Sequence, residues 1–220
     1  MRTYRVKRAA IRPDLKGQWN SPAWKQAYTA NVDQFRPEST SHRPRTKVRL
    51  LYDKTHLFGI FRVEDRYVRS VRTRFNQDVC NDSCVEFFVK PKPGKGYFNF
   101  EFSAGGTLLS GYITDWIRLP EGGFKKYRRL LRAEGGRVEV YHSLPKLVEP
   151  EIEDATTWTL EFRIPLALLE KYVGKLGRLA GQEWTANFYK CAGHTSHPHW
   201  AAWSPITIDD LNFHVPQCFG

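Results

Sequence analysis

The sequence predicts an all-β fold, a two-sheet antiparallel β-sandwich of jelly-roll type with one or two short helices. Three observations carry that prediction. Apolar and polar residues alternate with period two through most of the chain, Gly, Pro or Asp bound the alternating runs, and helical patterns are too few to connect parallel strands. All 220 residues fit one such domain, 1–220, because sandwiches run past about 200 residues without splitting.

The elements follow in chain order. Ser21 and Pro22 offer an N-cap and a first-turn proline ahead of a helix over 23–27. A strand fits 47–52. Over 57–63, Leu57, Gly59, Phe61 and Val63 alternate with Phe58, Ile60 and Arg62. Val85, Phe87 and Val89 then alternate with Glu86, Phe88 and Lys90. In 97–103, Phe98, Phe100 and Phe102 turn away from Tyr97, Asn99, Glu101 and Ser103. Further strands fit 108–114 and 137–142. Trp158, Leu160, Phe162 and Ile164 oppose Thr159, Glu161 and Arg163. Pro165 opens a second helix, in which Leu166, Leu169 and Val173 share a face and Gly174 marks the stop. Trp184, Ala186 and Phe188 finally oppose Thr185, Asn187 and Tyr189. The chain has no repeat and no low-complexity tract.

Composition narrows the partners. Seven Trp, ten Tyr and fourteen Phe exceed what one core needs, so some rings are expected at a ligand surface. Lys and Arg number 34 against 23 Asp and Glu, a net charge of +11 that favours acidic partners such as an anionic glycan. The basic residues are dispersed over 43–49, 62–74 and 125–132, which fits a solvated surface and argues against nucleic acid. No apolar run approaches the roughly 18–20 residues of a membrane helix. Residues 1–10 are basic without the apolar stretch of a secretory signal, so the chain reads as cytoplasmic or as trimmed from a longer secreted or periplasmic precursor.

The alternation also defines a polar face. If the strands bearing Glu86, Asn99, Glu101, Glu161, Arg163, Asn187 and Tyr189 are neighbours, these side chains form one solvent-facing platform suited to a ligand rich in hydroxyls. The sequence has no nucleophile elbow, no HExxH, no phosphate loop and no dinucleotide fingerprint. Glu86 with Glu101 or Glu161 would supply the two carboxylates of a glycan-active hydrolase, although cross-strand pairing with Arg163 or Lys90 explains them equally. Cys191, His194, His197 and His199 lie within nine residues and carry zinc-ligand chemistry, but Pro198 interrupts them and the spacing matches no standard arrangement; an exposed His-rich loop is the simpler expectation. The four cysteines form no CxxC pair, and Cys80 and Cys84 meet only if the chain bends between them. They are read as small thiols rather than a disulfide framework. Trp200 and Trp203 are three apart, so in an extended stretch one serves as a ligand platform while the other packs inward. Trp116, in a stretch over 114–120 read as loop, is a further platform; Trp24, Trp158 and Trp184 fall at core positions.

Residues 17–24 (GQWNSPAW), 48–52, 57–65 (LFGIFRVED), 82–88 (DSCVEFF), 97–106 (YFNFEFSAGG), 158–165 (WTLEFRIP), 184–190, 203–205 and 216–220 (PQCFG) follow one another in a telling order. In that order, over nearly the whole chain, the sequence resembles the family-9-like carbohydrate-binding modules. The resemblance implies a β-sandwich that binds a poly- or oligosaccharide non-catalytically, alongside glycoside hydrolases, in carbohydrate catabolism. It further implies a sugar clamped between two Trp rings, hydrogen bonds from Asn, Arg and Gln, and room for a structural calcium; the residues themselves require no cofactor. Carried onto this chain, Trp203 stands at one clamp position with Trp200 as the alternative, and Asn187 supplies an amide. The stretch 75–80 (FNQDVC), where the second ring belongs, has Phe75 and no Trp. The expected carbohydrate contacts are Trp203, Trp200, Asn187, Tyr189, Asn99, Glu101, Tyr97 and Trp116. Relatives of the wider fold that bind haem give one more alternative, with Lys190 or a histidine of 194–199 as axial ligand.

Overall fold

Alternation becomes architecture when two sheets stack and each turns its apolar set toward the other. The computed structural model describes residues 2–220. Its strands begin with β1 (Lys7–Arg8), β2 (Ala30–Val32), β3 (Gln34–Phe35), β4 (Arg45–Tyr52) and β5 (His56–Asp65). They continue with β6 (Val68–Ser70), β7 (Cys84–Lys90), β8 (Tyr97–Ser103), β9 (Leu108–Arg118) and β10 (Phe124–Arg129). The last are β11 (Glu139–His142), β12 (Val148–Ile152), β13 (Thr156–Pro165), β14 (Thr185–Ala192) and β15 (His199–Ala202). Three short helices intervene: α1 (Pro22–Lys25), α2 (Arg132–Gly135) and α3 (Leu166–Val173). No helix is long and apolar enough to cross a membrane.

One sheet runs β1-β4-β5-β13-β11, with β2 also paired to β4. The other runs β10-β9-β8-β7-β14-β15-β3, and β12 pairs with β6 apart from both. Pairing is antiparallel throughout except for β1 on β4. Between the sheets the Phe162 ring lies 5.2 Å from Phe102 and 5.8 Å from Phe87, and Phe87 stacks at 5.4 Å on Phe188. Gly59 stands opposite Phe162 in register, and a β-carbon there would overlap that ring. Gly59→Val should therefore destabilise the fold by about 1–3 kcal/mol through overpacking, read as a lower urea midpoint at unchanged slope.

A second, smaller core lies outside the β4–β5–β13 sheet. Phe58 and Ile60 face outward on β5 and are covered by Trp24 and Ala27 from α1 and its flank. On the other sheet β10 forms one edge, and five of its six residues are exposed.

Three expectations are corrected. The stretch at 114–118 is strand, not loop, because β9 pairs with β10 as far as Arg118. The polar set divides between two sheets: Glu86, Asn99, Glu101, Asn187 and Tyr189 lie on β7, β8 and β14, whereas Glu161 and Arg163 lie on β13. Nor do most of these side chains face solvent. Phe213, Phe219 and Val79 lie over the outer face of the seven-stranded sheet and bury that first group. Glu161 is buried under the N-terminal segment, where it accepts hydrogen bonds from Gly17 N at 2.7 Å and Trp24 Nε1 at 3.2 Å.

Candidate functional site

Register on the seven-stranded sheet places chemically distinct residues side by side. One outward-facing row reads Leu109, Glu101, Glu86, Tyr189 and Ala202 across β9, β8, β7, β14 and β15. The adjacent row reads Ser103, Cys84, Cys191 and Trp200. Directly opposed residues on one face of an antiparallel pair interact through side chains about 4.5–5.5 Å apart at Cβ. Two carboxyls, two thiols and an indole thus share one small area.

Above these rows opens a cavity of about 180 Å³, lined by Cys80, Glu86, Glu101, Arg118, Cys191 and Trp200 from the sheet side. Leu211, Asn212, Phe213 and His214 close it from the C-terminal segment. That segment is pinned by aromatic contact, since Phe213 stacks on Tyr189 at 4.1 Å, and by the 2.8 Å hydrogen bond between Tyr97 and His214. Cys80 reaches the cavity because residues Val79–Asn81 form a 3-10 turn, the bend that lets it approach Cys84.

The electrostatics are those of buried carboxyls and a buried imidazole. Burial, then repulsion from Glu101, push the Glu86 carboxyl well up, and burial likewise raises Glu101 against the hydrogen bond it accepts from Asn99 at 2.8 Å. Cys191 Sγ donates to Glu86 Oε1 at 3.1 Å. Burial and the charge of Arg118 bring His214 down to about 3, so its 4.0 Å approach to Glu101 is a contact with a neutral ring rather than an ion pair.

The expected carbohydrate contacts disperse. Of the two tryptophans, Trp200 faces outward, half-buried at the cavity. Trp203 is 5% exposed and packs inward against Phe188 at 5.5 Å and Tyr4 at 6.4 Å, because alternation turns it with Ala201 to the face opposite Trp200 and Ala202. The ring first assigned to the clamp is thus a core residue. Glu101 lines the cavity, whereas Asn99, Asn187 and Tyr189 spend their polar groups on the protein. Asn99 accepts from Gly111 N at 2.7 Å, Asn187 donates to Ser204 O at 3.0 Å, and Tyr189 donates to Phe213 O at 3.0 Å. Tyr97 is buried beneath Phe219. Trp116, 37% exposed, lines a separate, larger cavity of about 460 Å³ with Tyr112, Tyr172, Lys90 and Lys95. Phe75 packs at the edge of the main core and is no second clamp ring.

The other assignments are likewise sorted. Glu86 and Glu101 are brought together; Glu161 lies on the outer face of the opposite sheet and cannot join them. Cys191 and His199 belong to opposite faces of their sheet, so the Cys191, His194, His197, His199 quartet does not converge. His194 lies exposed near Arg72, and His197 stacks on Tyr67 at 3.6 Å. His199 is no exposed loop residue either: it is buried between the sheets, 2.7 Å from Lys190 Nζ. Lys190 in turn meets Asp65 at 3.5 Å with both side chains excluded from solvent, which removes it as an axial ligand. Arg118, Asn212 and His214 escaped sequence reasoning, since no periodicity marks them; the ordered landmark at 216–220 was the one hint that the C-terminal segment returns to the sheet.

A family model described as carbohydrate-binding family 9 matches residues 23–220. Comparison with curated proteins gives no match. Among solved structures, the chain is similar to a Bacteroides uniformis protein provisionally assigned as carbohydrate-binding, at 25% identity and a TM-score of 0.83, covering 98% of this chain and 94% of that one. It is also similar in fold to family 9 carbohydrate-binding modules of Caldicellulosiruptor kristjanssonii. The glucose complex gives 11% identity and a TM-score of 0.57 over 98% of this chain and 92% of that one. The cellotriose complex gives 12% and 0.60 over 98% and 90%.

Proposed function

The chain belongs to carbohydrate-binding family 9, and from that premise we propose that it holds one residue of a poly- or oligosaccharide, without catalysis, in the cavity over the seven-stranded sheet. The observation that carries this is the conjunction of a half-buried indole, Trp200, with the carboxyl of Glu101, the guanidinium of Arg118 and the amide of Asn212 around one recess. An indole face packs against the C–H face of a pyranose, while charged and amide groups satisfy its hydroxyls. At about 180 Å³ the recess is smaller than the roughly 300–1,000 Å³ pockets of drug-sized ligands, so a single sugar ring enters and the rest of the chain stays outside. The Caldicellulosiruptor family 9 module complexes with glucose and with cellotriose support the same ligand class. Glycoside-hydrolase association and a role in polysaccharide breakdown follow as parts of the proposal.

Isothermal titration of glucose, cello-oligosaccharides and uronic-acid oligosaccharides tests it. Trp200→Ala should weaken the best ligand by at least about tenfold, or 1.4 kcal/mol, whereas Trp116→Ala should leave it unchanged. No heat with any sugar at millimolar concentration would sink the function, and equal affinity in Trp200→Ala would sink the site. The net charge of +11, with Arg118 in the recess, favours an anionic glycan, whose binding should then weaken steeply with salt.

One observation favours a second reading, glycan hydrolysis: Glu86 and Glu101 stand directly opposite on one face, as the two carboxyls of a glycosidase must lie near each other. It requires release of reducing ends from some glycan and its loss in Glu86→Gln.

A further inference from the structure

The sugar reading leaves the cavity floor unexplained. A hydroxyl-rich ligand needs carboxylates and amides, not thiols, yet Cys191 lines the cavity beside Glu86, and Cys84 is its direct cross-strand partner just beyond the lining. Their Sγ, Sγ and carboxylate oxygen all lie within 4.8 Å of one another, and all three residues are buried. Cys80, on its 3-10 turn, contributes a third thiol to the wall of the same cavity. Among the described residues no Lys, Arg or His side chain pairs with Glu86. Three acid-bearing side chains thus converge, with Cys80 on the adjoining wall and no salt-bridge partner for Glu86.

We propose that Cys84, Glu86 and Cys191 form a site for a thiophilic divalent cation, Zn²⁺ in the first instance, with its fourth position directed at the cavity, where Cys80 stands. The donor set decides the class. Two thiolates select zinc over calcium or magnesium, which take oxygen ligands, and one carboxylate is a common third zinc ligand. Zinc–sulfur bonds of about 2.3 Å in a tetrahedron set sulfur atoms about 3.8 Å apart, so atoms already within 4.8 Å close on an ion by small side-chain rotations. The strand backbones need not move, because β7 and β14 are fixed to each other over seven paired residues. The cavity supplies the entry path. Without an ion, burial pushes the Cys84 thiol up to about 12 and raises Cys191 as well; ligation replaces those thiol protons with the metal and releases them to solvent. The site is independent of the sugar reading, which rests on Trp200, Glu101, Arg118 and Asn212.

The test uses the full-length chain, reduced, stripped with a chelator and titrated with Co²⁺ alone. One equivalent should generate thiolate-to-cobalt charge-transfer absorption, which one equivalent of Zn²⁺ then abolishes. Cys84→Ser and Cys191→Ser should each weaken Co²⁺ binding by more than about 100-fold, the upper loss seen for outer-shell groups, while Cys218→Ser should not change it. In case either serine variant misfolds, Zn²⁺ added to the wild-type chain should shield Cys84 and Cys191 from alkylation, as located by peptide mass spectrometry. Absence of the charge-transfer band in the reduced wild-type chain overturns the site. So does a Cys84–Cys191 disulfide in the protein as purified. Sugar titration of the same preparation, with and without Zn²⁺, separates this outcome from failure of the carbohydrate reading: sugar binding that persists in a chain with no Co²⁺ band removes the metal site alone.

Discussion

Lys190→Met should remove about 3–5 kcal/mol of folding stability, a large share of what a domain of this size possesses. Alternation places Lys190 on the inner face of β14, between Phe188 and Ala192, where an amine has no access to water. Its Nζ is held by Asp65 at 3.5 Å, by the carbonyl of Cys191 at 3.1 Å and by His199 Nε2 at 2.7 Å. Burial alone would raise the Asp65 carboxyl, but the charge of Lys190 and hydrogen bonds from His42 and the Arg66 amide hold it well below the usual carboxylate range. Trp158 Nε1 adds a fourth contact at 3.3 Å. Removing the ammonium leaves a buried carboxylate without its main counter-charge, and that uncompensated charge is where most of the loss originates. The double variant Lys190→Met, Asp65→Asn should lose clearly less than the sum of the two single ones. Urea denaturation of all three measures it; strictly additive losses would mean the pair is not coupled.

The same cluster should make the fold acid-sensitive well above the pH at which carboxylates protonate. Burial, then the adjacent Lys190 charge, bring His199 down to about 3, far below the ordinary value near 6.5. Above pH 6.5 the ring is neutral in both folded and unfolded chains, and its contribution is fully present. Between pH 6.5 and about 3 the unfolded chain binds a proton that the native ring refuses, so stability falls as pH falls, by about 1.4 kcal/mol per pH unit. From pH 6.5 to 5 that is a loss of about 2 kcal/mol. The raised carboxyls of Glu86 and Glu101 work in the opposite sense, gaining stability as pH falls. The informative measurement is therefore the difference between wild type and His199→Gln, whose profile should be flatter by that one-proton slope. Parallel profiles would show that His199 takes up its proton in the folded state.

Much of this architecture was legible in the amino-acid order. Phe98, Phe100 and Phe102 announced β8 residue for residue, and Pro165 and Gly174 bracketed α3. Strict alternation survives there because the inner face is packed and a one-residue slip would bury the wrong set. The two- and three-residue strands β1, β2 and β3 were not legible, since pairing across an edge needs too few residues to leave a period. For the candidate site, alternation put Glu86 and Glu101 in one polar set, and strand register sets them directly opposite each other, whereas proximity in sequence grouped Cys191 with the histidines. Alternation could not say what covers that face. Phe213 and His214 arrive from a segment without regular structure, and their burial of Tyr97, Asn99 and Tyr189 turned expected sugar contacts into internal hydrogen bonds. Trp200 and Trp203 exchanged roles for a related reason: parity separates two rings but does not tell inside from outside.

β10 gives the basic excess a use that needs no acidic partner. It forms an open edge of the seven-stranded sheet, with a row of unpaired backbone groups that could template a strand from another molecule. Its sequence is Phe-Lys-Lys-Tyr-Arg-Arg, and Lys125, Lys126, Arg128 and Arg129 are all exposed. Two copies approaching edge to edge would bring like charges into register at strand spacing, where each opposed pair repels. The charge so placed acts as a guard against self-assembly, and a version with β10 neutralised should lose colloidal stability long before it loses its fold.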